Sequence, residues 1–406
     1  MTDESRPLPR AFQLLWGATA ISNIGDGLRL TALPLLATSV TTDPRAIAGV
    51  AIAERIPWLV FILPGGAWAD RFDRRVLRLR LDAARAAVMA GLATVIALDH
   101  VSITLIYAVA ALLASAEAVV DSSSMALVPS TVDERDLERA GSRLTGTELL
   151  ANGLIGPPLG GLLFGAALVA PFVVDAVSFA AAAAMIALLP GTYQPAVRVG
   201  RAEPMWRQIG EGFRWFWHRR VLRRLALIST ALGLSEFVGA AVFVLFATDT
   251  LGLSGAEYGL LLVPAAVGGL VGSWLSPRLT SAPLRFVLAG SVLVLGAATL
   301  ITAATSSPVT VAVLGAVASA GVVVWNVLTV ALRQRLIPPH LLGRVGASYR
   351  FLGYAGMPVG ALLGGVLADA FGIRVALAVA GTALVTIAAL VPLLLRRVDD
   401  RDDTVR

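Results

Sequence analysis

The sequence predicts an all-α membrane protein in which twelve transmembrane helices form two pseudo-symmetric bundles of six. Three observations lead to this fold class: the composition, the spacing of the apolar segments and an internal repeat. Of the 406 residues, 57% are hydrophobic and only 15% are charged, whereas soluble proteins have roughly 45–50% apolar and about 25% charged residues. A single soluble core stops growing near ~250–300 residues, so lipid must cover much of this apolar surface.

Twelve apolar segments of about 20 residues, the length that crosses the hydrocarbon layer, follow one another along the chain. Several are joined by connections as short as Leu98–Val101, so neighbouring helices are expected to be antiparallel. An even number of spans places both chain ends on one side of the membrane. The predicted spans begin near Ala11, Ala46, Val76, Ser102, Ser142, Ala170, Val221, Ala256, Pro283, Pro308, Gly343 and Ile373.

The distribution of arginine predicts the orientation of these spans. All 33 basic residues are arginines, and they are spread along the chain, so they do not predict a nucleic-acid-binding surface. The connections on the side of the chain ends hold nearly all of the loop arginines, and the opposite connections hold only Arg45 and Arg374. Because cytoplasmic loops carry the excess of positive charge, we predict a multi-pass plasma-membrane protein with both termini in the cytoplasm.

The longest connection, Pro190–Arg220, divides the chain into a predicted first bundle (1–190), a linker (191–220) and a second bundle with its tail (221–406). Within the linker, aromatic and aliphatic residues recur at helical spacing with arginines between them. This pattern predicts an amphipathic helix on the cytoplasmic membrane surface, and a calmodulin-like or nucleic-acid partner is the weaker interpretation. The apolar positions are Trp206, Ile209, Phe213 and Trp217, and the interleaved arginines are Arg207, Arg214 and Arg219.

An internal repeat relates the two predicted bundles. A shift of 200 residues aligns five of the six glycines of Gly146–Gly165 with glycines of Gly346–Gly365, and a shift of 210 sets Asp26 against Glu236. Chance agreement in a chain rich in Gly, Leu and Ala is the alternative explanation. Two halves in the same orientation form a parallel repeat, and transporters built this way bind their substrate between the halves near the middle of the membrane.

The connection between predicted spans two and three, GGAWADRFDRR (Gly65–Arg75), resembles the G-x-x-x-D-R-x-G-R-R signature of the major facilitator superfamily. One position departs from the signature, since Asp73 stands where the family usually has Gly. In that family this connection latches the two halves in the outward-facing state. The matching positions, which the resemblance implies are latch residues, are Gly66, Asp70, Arg71, Arg74 and Arg75.

Three further segments indicate which branch of this superfamily the chain resembles. GLIGPPLGG (Gly153–Gly161) is similar to the span-five motif of exporters in that family, whereas Phe12–Leu36 and Ala116–Ser142 resemble the branch of macrolide efflux pumps and enterobactin-type siderophore exporters. The resemblance implies an exporter that expels a bulky amphipathic compound (an antibiotic, a siderophore or another natural product) by proton antiport. The motif predicts a helix hinge formed by Gly156, Pro157, Pro158, Gly160 and Gly161.

Charged residues within the spans are candidates for function, because each costs roughly 2.5–3.5 kcal/mol at the membrane centre. Asp26 and Arg29 share a face of span one, and Glu117 and Asp121 share a face of span four. Many drug/proton antiporters carry an Arg in span four, so their coupling scheme cannot be transferred to this chain. We predict that Asp26, Glu117, Asp121 and Glu236 couple transport to protons.

Two structural alternatives for these charges stay open at the level of sequence. Asp26 and Arg29 could form a self-neutralising pair, although Glu54 or Arg55 of span two is also expected to pair with span one at a similar depth. Glu117 and Asp121 could be clamped by arginines of other helices. The arginines considered for that clamp are Arg80, Arg85 and Arg143.

The predicted substrate-binding residues are Arg29, Trp325 and Asn326, because an aromatic surface beside an amide suits an amphipathic ligand; a packing role for the tryptophan is the alternative. No cysteine and only three scattered histidines are present, so no metal centre or other cofactor is predicted. We expect a monomer whose partners are a small-molecule substrate, protons and the lipid bilayer.

Two other functions compete with this prediction. A lysophospholipid flippase would have the same fold and a G-D-x-x-L-like start of span one. An integral-membrane prenyltransferase would use Glu117-Ala-Val-Val-Asp121 as an acidic magnesium box, but this segment lies within an apolar span and no second box follows. We therefore do not predict an enzyme.

Overall fold

The structure, a computed structural model, describes residues 8–61, 72–191, 193, 205–338 and 341–396. Within these ranges, nine helical segments are long and apolar enough to cross a membrane. They correspond to predicted spans four to twelve. The helices at the first three predicted spans carry the charged residues of the site below and are correspondingly less apolar, so the count of twelve stays a prediction.

The described residues of the first half contain seven α-helices, of which α5 and α6 are joined into one rod by the π-helical turn Leu150–Ile155. A π-helical turn of this kind is frequent at functional positions. The helices are α1 (Arg10–Val40), α2 (Pro44–Phe61), α3 (Arg74–Ala97), α4 (Ile103–Leu127), α5 (Leu137–Leu149), α6 (Gly156–Ala166) and α7 (Ala170–Ala187).

The second half follows an amphipathic linker helix, and its first rod also contains a π-helical turn, Phe246–Thr250. The linker helix is α8 (Met205–His218). The longer α-helices among the described residues of the second half are α9 (Arg220–Ala240), α10 (Gly255–Leu261), α11 (Val263–Leu275), α12 (Leu284–Ala304), α13 (Pro308–Leu336), α14 (Leu342–Phe371) and α15 (Ile373–Leu394).

The two halves repeat the same pattern of helix packing. In the first half, α1 packs on α6 and α7, α3 packs on α4 and α7, and α2 packs on α4. In the second half, α9 packs on α14 and α15, α12 packs on α13 and α15, and α11 packs on α13. This agreement confirms the predicted fold class of two pseudo-symmetric helical bundles. The exact domain boundaries stay a prediction.

At one end of the molecule the two halves share an apolar core cluster, and at the other end each half has a cluster of its own. One cluster holds Leu33 at the end of α1, Leu377 at the start of α15 and Phe246 from the second half; we call this the joined end. At the other end Phe12 lies in a cluster of the first half alone, and Leu395 lies in a cluster of the second half alone. Both described chain ends therefore lie at this split end.

Two helix pairs close the joined end. α6 packs on α10, and α2 packs on α14, so each pair is the counterpart of the other in the repeat. An exposed ion pair adds to the second contact, with Arg45 Nη2 lying 2.5 Å from Asp369 Oδ2. Arg45 is one of the two arginines predicted on the outer side.

The linker helix α8 docks on the second half through aromatic residues, of which Phe216 is the most buried among the described side chains. Phe216 is fully buried, and its ring meets Tyr349 of α14 edge to face, with the centroids 6.4 Å apart. Phe213 and Trp217 of the predicted apolar face stack on each other and are each 37% exposed. The side chains of Trp206, Arg207 and Ile209 lie outside the described residues, so the contact of this face with the membrane stays a prediction.

Candidate transport site

A cavity of about 320 Å³ lies in the first half toward the split end, between α1, α3, α4 and α5. Charged, hydroxyl-bearing and apolar side chains together form its wall. The structure thus brings three of the four predicted proton-coupling carboxyls to one cavity. The charged residues in its wall are Asp26, Arg78, Arg85, Glu117, Asp121 and Glu148.

Arg29 connects three helices beside this cavity and is only 3% exposed. Its Nη1 donates to Glu54 Oε1 on α2 at 3.0 Å, and its Nη2 donates to Glu117 Oε2 on α4 at 2.7 Å. The contact with Asp26, one turn away on the same helix, is longer at 3.4 Å. The expected pairing of span two with span one is confirmed, because Glu54 supplies it. Glu117 is held by Arg29 and not by the arginines considered from the sequence.

The main partner of Asp26 is Arg85 of α3, which donates to Oδ1. Arg85 also contacts Ser22 Oγ at 3.2 Å, and its guanidinium carbon lies 3.8 Å from the centre of the Phe179 ring. The interpretation of Asp26 and Arg29 as a self-neutralising pair is therefore incomplete, because Asp26 shares its charge mainly with α3. Periodicity along α1 could not reveal a partner on another helix.

An ion pair on α3 extends this network. Arg78 Nε lies 3.3 Å from Asp82 Oδ2, and Arg85 Nη1 lies 3.6 Å from Asp82 Oδ1. All three side chains are buried. The resulting chain of alternating charges runs from α3 through Asp26 to Arg29, and so fixes the relative positions of α1, α2, α3 and α4.

Two carboxyls in the cavity wall lack such a partner. In the part of the chain that the structure describes, neither Asp121 nor Glu148 lies within ion-pair distance of an arginine. Glu148 is not among the residues predicted from the sequence to couple transport to protons. Together the two acids add to the cavity wall two carboxyls that none of its arginines pairs.

The predicted residues of the second half lie apart from this cavity. Glu236 on α9 is half-buried and interacts electrostatically with Arg55 of α2, whose guanidinium carbon lies 5.1 Å from the Phe237 ring centre. Trp325 is 7% exposed and packs in the core of the second half, whereas Asn326 is exposed. Their roles in proton coupling and substrate binding stay predictions.

The predicted hinge residues pack closely on both halves. A Cβ atom added at Gly160 would lie 2.5 Å from the Leu28 carbonyl oxygen of α1. A Cβ atom added at Gly161 would lie 2.9 Å from the Gly259 Cα of α10. Glycine therefore lets helix backbones approach at these positions. Gly156 similarly packs on Gly27, and the predicted hinge function of this motif, including Pro157 and Pro158, remains untested.

The departure at Asp73 has a structural explanation. Its carboxylate accepts hydrogen bonds from the backbone N–H groups of Arg75 and Val76, at 2.9 and 3.2 Å, and so caps the start of α3. It also accepts the backbone N–H of Tyr193 at 3.1 Å. A glycine at this position could make none of these contacts. The predicted latch residues Gly66, Asp70 and Arg71 lie outside the described residues.

Arg75, a fourth predicted latch residue, binds the end of α7 within its own half. Its Nε donates to the Ile186 carbonyl at 3.2 Å, its Nη2 to Ala187 at 2.5 Å and its Nη1 to Gly191 at 3.1 Å. A cation at a helix C-terminus satisfies carbonyl groups that lack a partner in the helix. The latch function of Arg74 and Arg75 stays a prediction.

We expect Arg75→Ala to lower the free energy of unfolding by about 1–2 kcal/mol, because α7 loses the cation at its C-terminus. Thermal unfolding of the purified protein in lipid nanodiscs measures this change. Arg80→Ala, on an exposed position of the same helix, is the matched control and is expected to unfold like the wild type. Equal unfolding temperatures for the two variants would contradict the capping role.

The family model described as "Transmembrane secretion effector" matches residues 6–405. The multidrug efflux pump Tap of Mycobacterium tuberculosis is 30% identical over 377 residues, which cover 90% of this chain and 88% of that protein. Tap of Mycolicibacterium fortuitum is 30% identical over 385 residues, covering 89% and 90%.

Solved structures share the fold at lower sequence identity. The nucleoside transporter NupG has a TM-score of 0.78 at 12% identity and covers 95% of this chain and 100% of its own. A bacterial homologue of the lysosomal transporter Spinster, in an inward-facing and unoccupied conformation, has a TM-score of 0.75 at 15% identity, with 95% and 96% covered. The chain therefore belongs to the transmembrane secretion effector family within the major facilitator superfamily of membrane transporters.

Proposed function

We propose that this chain is a plasma-membrane exporter that expels a bulky amphipathic compound from the cytoplasm in exchange for protons. The observation that carries the proposal is the buried charge network beside the cavity of the first half. Export itself is supported by the efflux pumps at 30% identity. As a member of a transporter family the chain is not an enzyme, so the prenyltransferase alternative is wrong.

The open side of the cavity supports loading from the cytoplasm. The cavity lies toward the split end, where the described chain ends and most of the described loop arginines are found. By the positive-inside rule this end faces the cytoplasm. The conformation would then accept a compound from inside the cell while the helix pairs at the joined end close the outer side.

Proton coupling is supported by the balance of charge in the network. Four carboxyls, those of Asp26, Glu54, Asp82 and Glu117, share three arginines. Asp121 and Glu148 add two carboxyls without an arginine partner to the cavity wall. A proton or a cationic group in this wall would reduce the repulsion between carboxylates. The network therefore favours binding of a proton or of a cationic substrate group.

In this proposal, Asp26 converts protonation into movement. While ionised, it holds α1 to α3 through Arg85. A proton on its Oδ1 would remove the charge that Arg85 contacts and so weaken the attachment of α1 to α3. Since α1 also packs on α6, whose Gly161 contacts the second half, a shift of α1 would be transmitted to the closed side.

We expect Asp26→Asn to reduce gradient-driven export at least about tenfold while leaving expression intact, because the amide keeps the shape of the side chain and removes its ionisation. Export of the fluorescent amphipathic probe ethidium is measured in proteoliposomes under an imposed pH gradient. Asp99→Asn, in an exposed outer turn with positive φ, is the control, because Asn tolerates that backbone conformation.

Two outcomes would contradict this proposal in different ways. Wild-type export that is indifferent to the pH gradient would remove proton coupling, and wild-type export by Asp26→Asn would remove Asp26 from the mechanism. A susceptibility panel that compares a deletion strain with a complemented strain identifies the exported class of compound. Transport of a lysophospholipid without export of any drug in the panel would favour the flippase.

A further inference from the structure

Asp175 on α7 is a buried carboxyl that the mechanism above does not use. It is 0% exposed, its Oδ1 accepts a hydrogen bond from Ser178 Oγ at 3.2 Å, and its Oδ2 has no hydrogen-bond partner among the described residues. An ionised carboxylate without a partner costs several kcal/mol in such surroundings. The neutral acid, which carries a proton, fits this position better than the ion.

Asp175 lies directly against the part of α1 that carries Asp26. A Cβ atom added at Gly25 would overlap Asp175 Oδ1 and Ser178 Oγ, so only a glycine lets α1 approach this closely. Phe179, one turn further along α7, lies under the guanidinium group of Arg85. Arg85 therefore contacts Asp26 and at the same time packs on Phe179, on the face of α7 that carries Asp175.

The charged groups that act on Asp175 come from two of the helices packed on α7. They are Asp26 and Arg29 from α1 and Arg85 from α3; α6, which also contacts α7, contains no titratable residue. The two arginines that balance Asp26 thus also face Asp175. A negative charge on either carboxyl would be met by the same arginines.

We propose that Asp175 is a second proton-binding carboxyl of the network and exchanges its proton with Asp26. This inference rests on the proposed proton-coupled function. In the conformation described, Asp175 holds the proton and Asp26 is ionised against Arg85. In the exchange, the O–H bond at Asp175 breaks and an O–H bond forms at Asp26, so the number of protons and the net charge of the pair stay the same. Arg85 and Arg29 then balance Asp175, and the negative charge moves from the cavity wall to the contact between α1 and α7.

Infrared spectroscopy of the full chain in lipid nanodiscs tests the position of the proton without any substrate. At neutral pH, the wild type should show the C=O band of a protonated carboxyl, and Asp175→Asn should lose it. The control Asp99→Asn should keep the band. An unchanged band in Asp175→Asn would overturn the proposal.

Two further variants test the exchange and distinguish a specific loss of the band from a loss caused by misfolding. Asp26→Asn should remove the protonated-carboxyl band although Asp175 is still present. Without the charge of Asp26, Arg85 and Arg29 stabilise the ionised form of Asp175. Ser178→Ala keeps the carboxyl but deletes its hydrogen-bond donor, so it should shift the frequency of the band. A band that stays in place in both variants would show that it does not belong to Asp175.

Transport separates this inference from the function on which it rests. Asp175→Asn should shift the pH profile of gradient-driven ethidium export, but it should retain substrate counterflow, which needs no net proton movement. Wild-type export that is independent of the pH gradient would contradict the proposed function itself. Gradient-driven wild-type export together with an unshifted profile for Asp175→Asn would defeat only the role of Asp175.

Discussion

The double variant Gly165→Cys with Ala256→Cys is expected to stop transport when oxidised and to recover when a reductant is added. A Cβ atom at Gly165 on α6 would lie 3.6 Å from the Ala256 Cβ on α10, within the separation of about 3.5–4.5 Å that a disulfide requires. The bond would join the two halves at their closed end. The proposed export requires this end to open, so a covalent bond there should trap the protein with its joined end closed.

This chain is well suited to the crosslinking experiment because it contains no cysteine. The matched control is Gly315→Cys with Ala265→Cys, in which a Cβ atom at Gly315 would lie 4.0 Å from the Ala265 Cβ. That bond joins α13 and α11 within the second half and should leave transport intact. Ethidium export by oxidised and reduced proteoliposomes is the measurement, with crosslinking verified by mobility on a denaturing gel. Full activity of the oxidised Gly165/Ala256 pair would contradict movement of the halves about this contact.

The second large effect is expected from Arg29→Gln, which should lower the thermal unfolding temperature and abolish export. The substitution leaves Glu54 and Glu117 without the arginine that joins them. It also removes one of the two arginines that contact the Asp26 carboxylate. Breaking a buried ion pair by removing one partner typically costs about 3–5 kcal/mol. Arg29→Lys should not restore the loss, because an ammonium group cannot present the planar fork that meets carboxylates on two helices.

A double-mutant cycle identifies the cause of the Arg29 effect. Glu117→Gln in the Arg29→Gln background removes the carboxylate left unpaired, so the double variant should unfold at a higher temperature than Arg29→Gln alone. Unfolding is measured in nanodiscs, where each variant is compared at the same lipid composition. Additive effects of the two substitutions would mean that Arg29 and Glu117 do not interact energetically.

The fold could be predicted in outline because its signals are local. Apolar length, short connections and the spacing of the repeat each depend on a stretch of sequence and not on its neighbours in space. The glycine-rich motif was located in the same way, but its contacts were not: Gly160 meets α1 and Gly161 meets α10 of the other half. The hydrogen bond from the Tyr193 N–H to Asp73 was likewise not predictable, because Tyr193 is distant in sequence.

By itself, the sequence determined a repeated, helical, membrane-spanning chain and the candidate acids Asp26, Glu117 and Asp121. Only the tertiary structure decided which charges meet, since Arg85 reaches Asp26 across 59 positions and Arg29 reaches Glu117 across 88. The physical reason is that helical periodicity fixes a side chain's direction only relative to its own helix. The pairing of buried charges depends on how helices are rotated and on their depth relative to one another, and these follow from packing across the whole bundle.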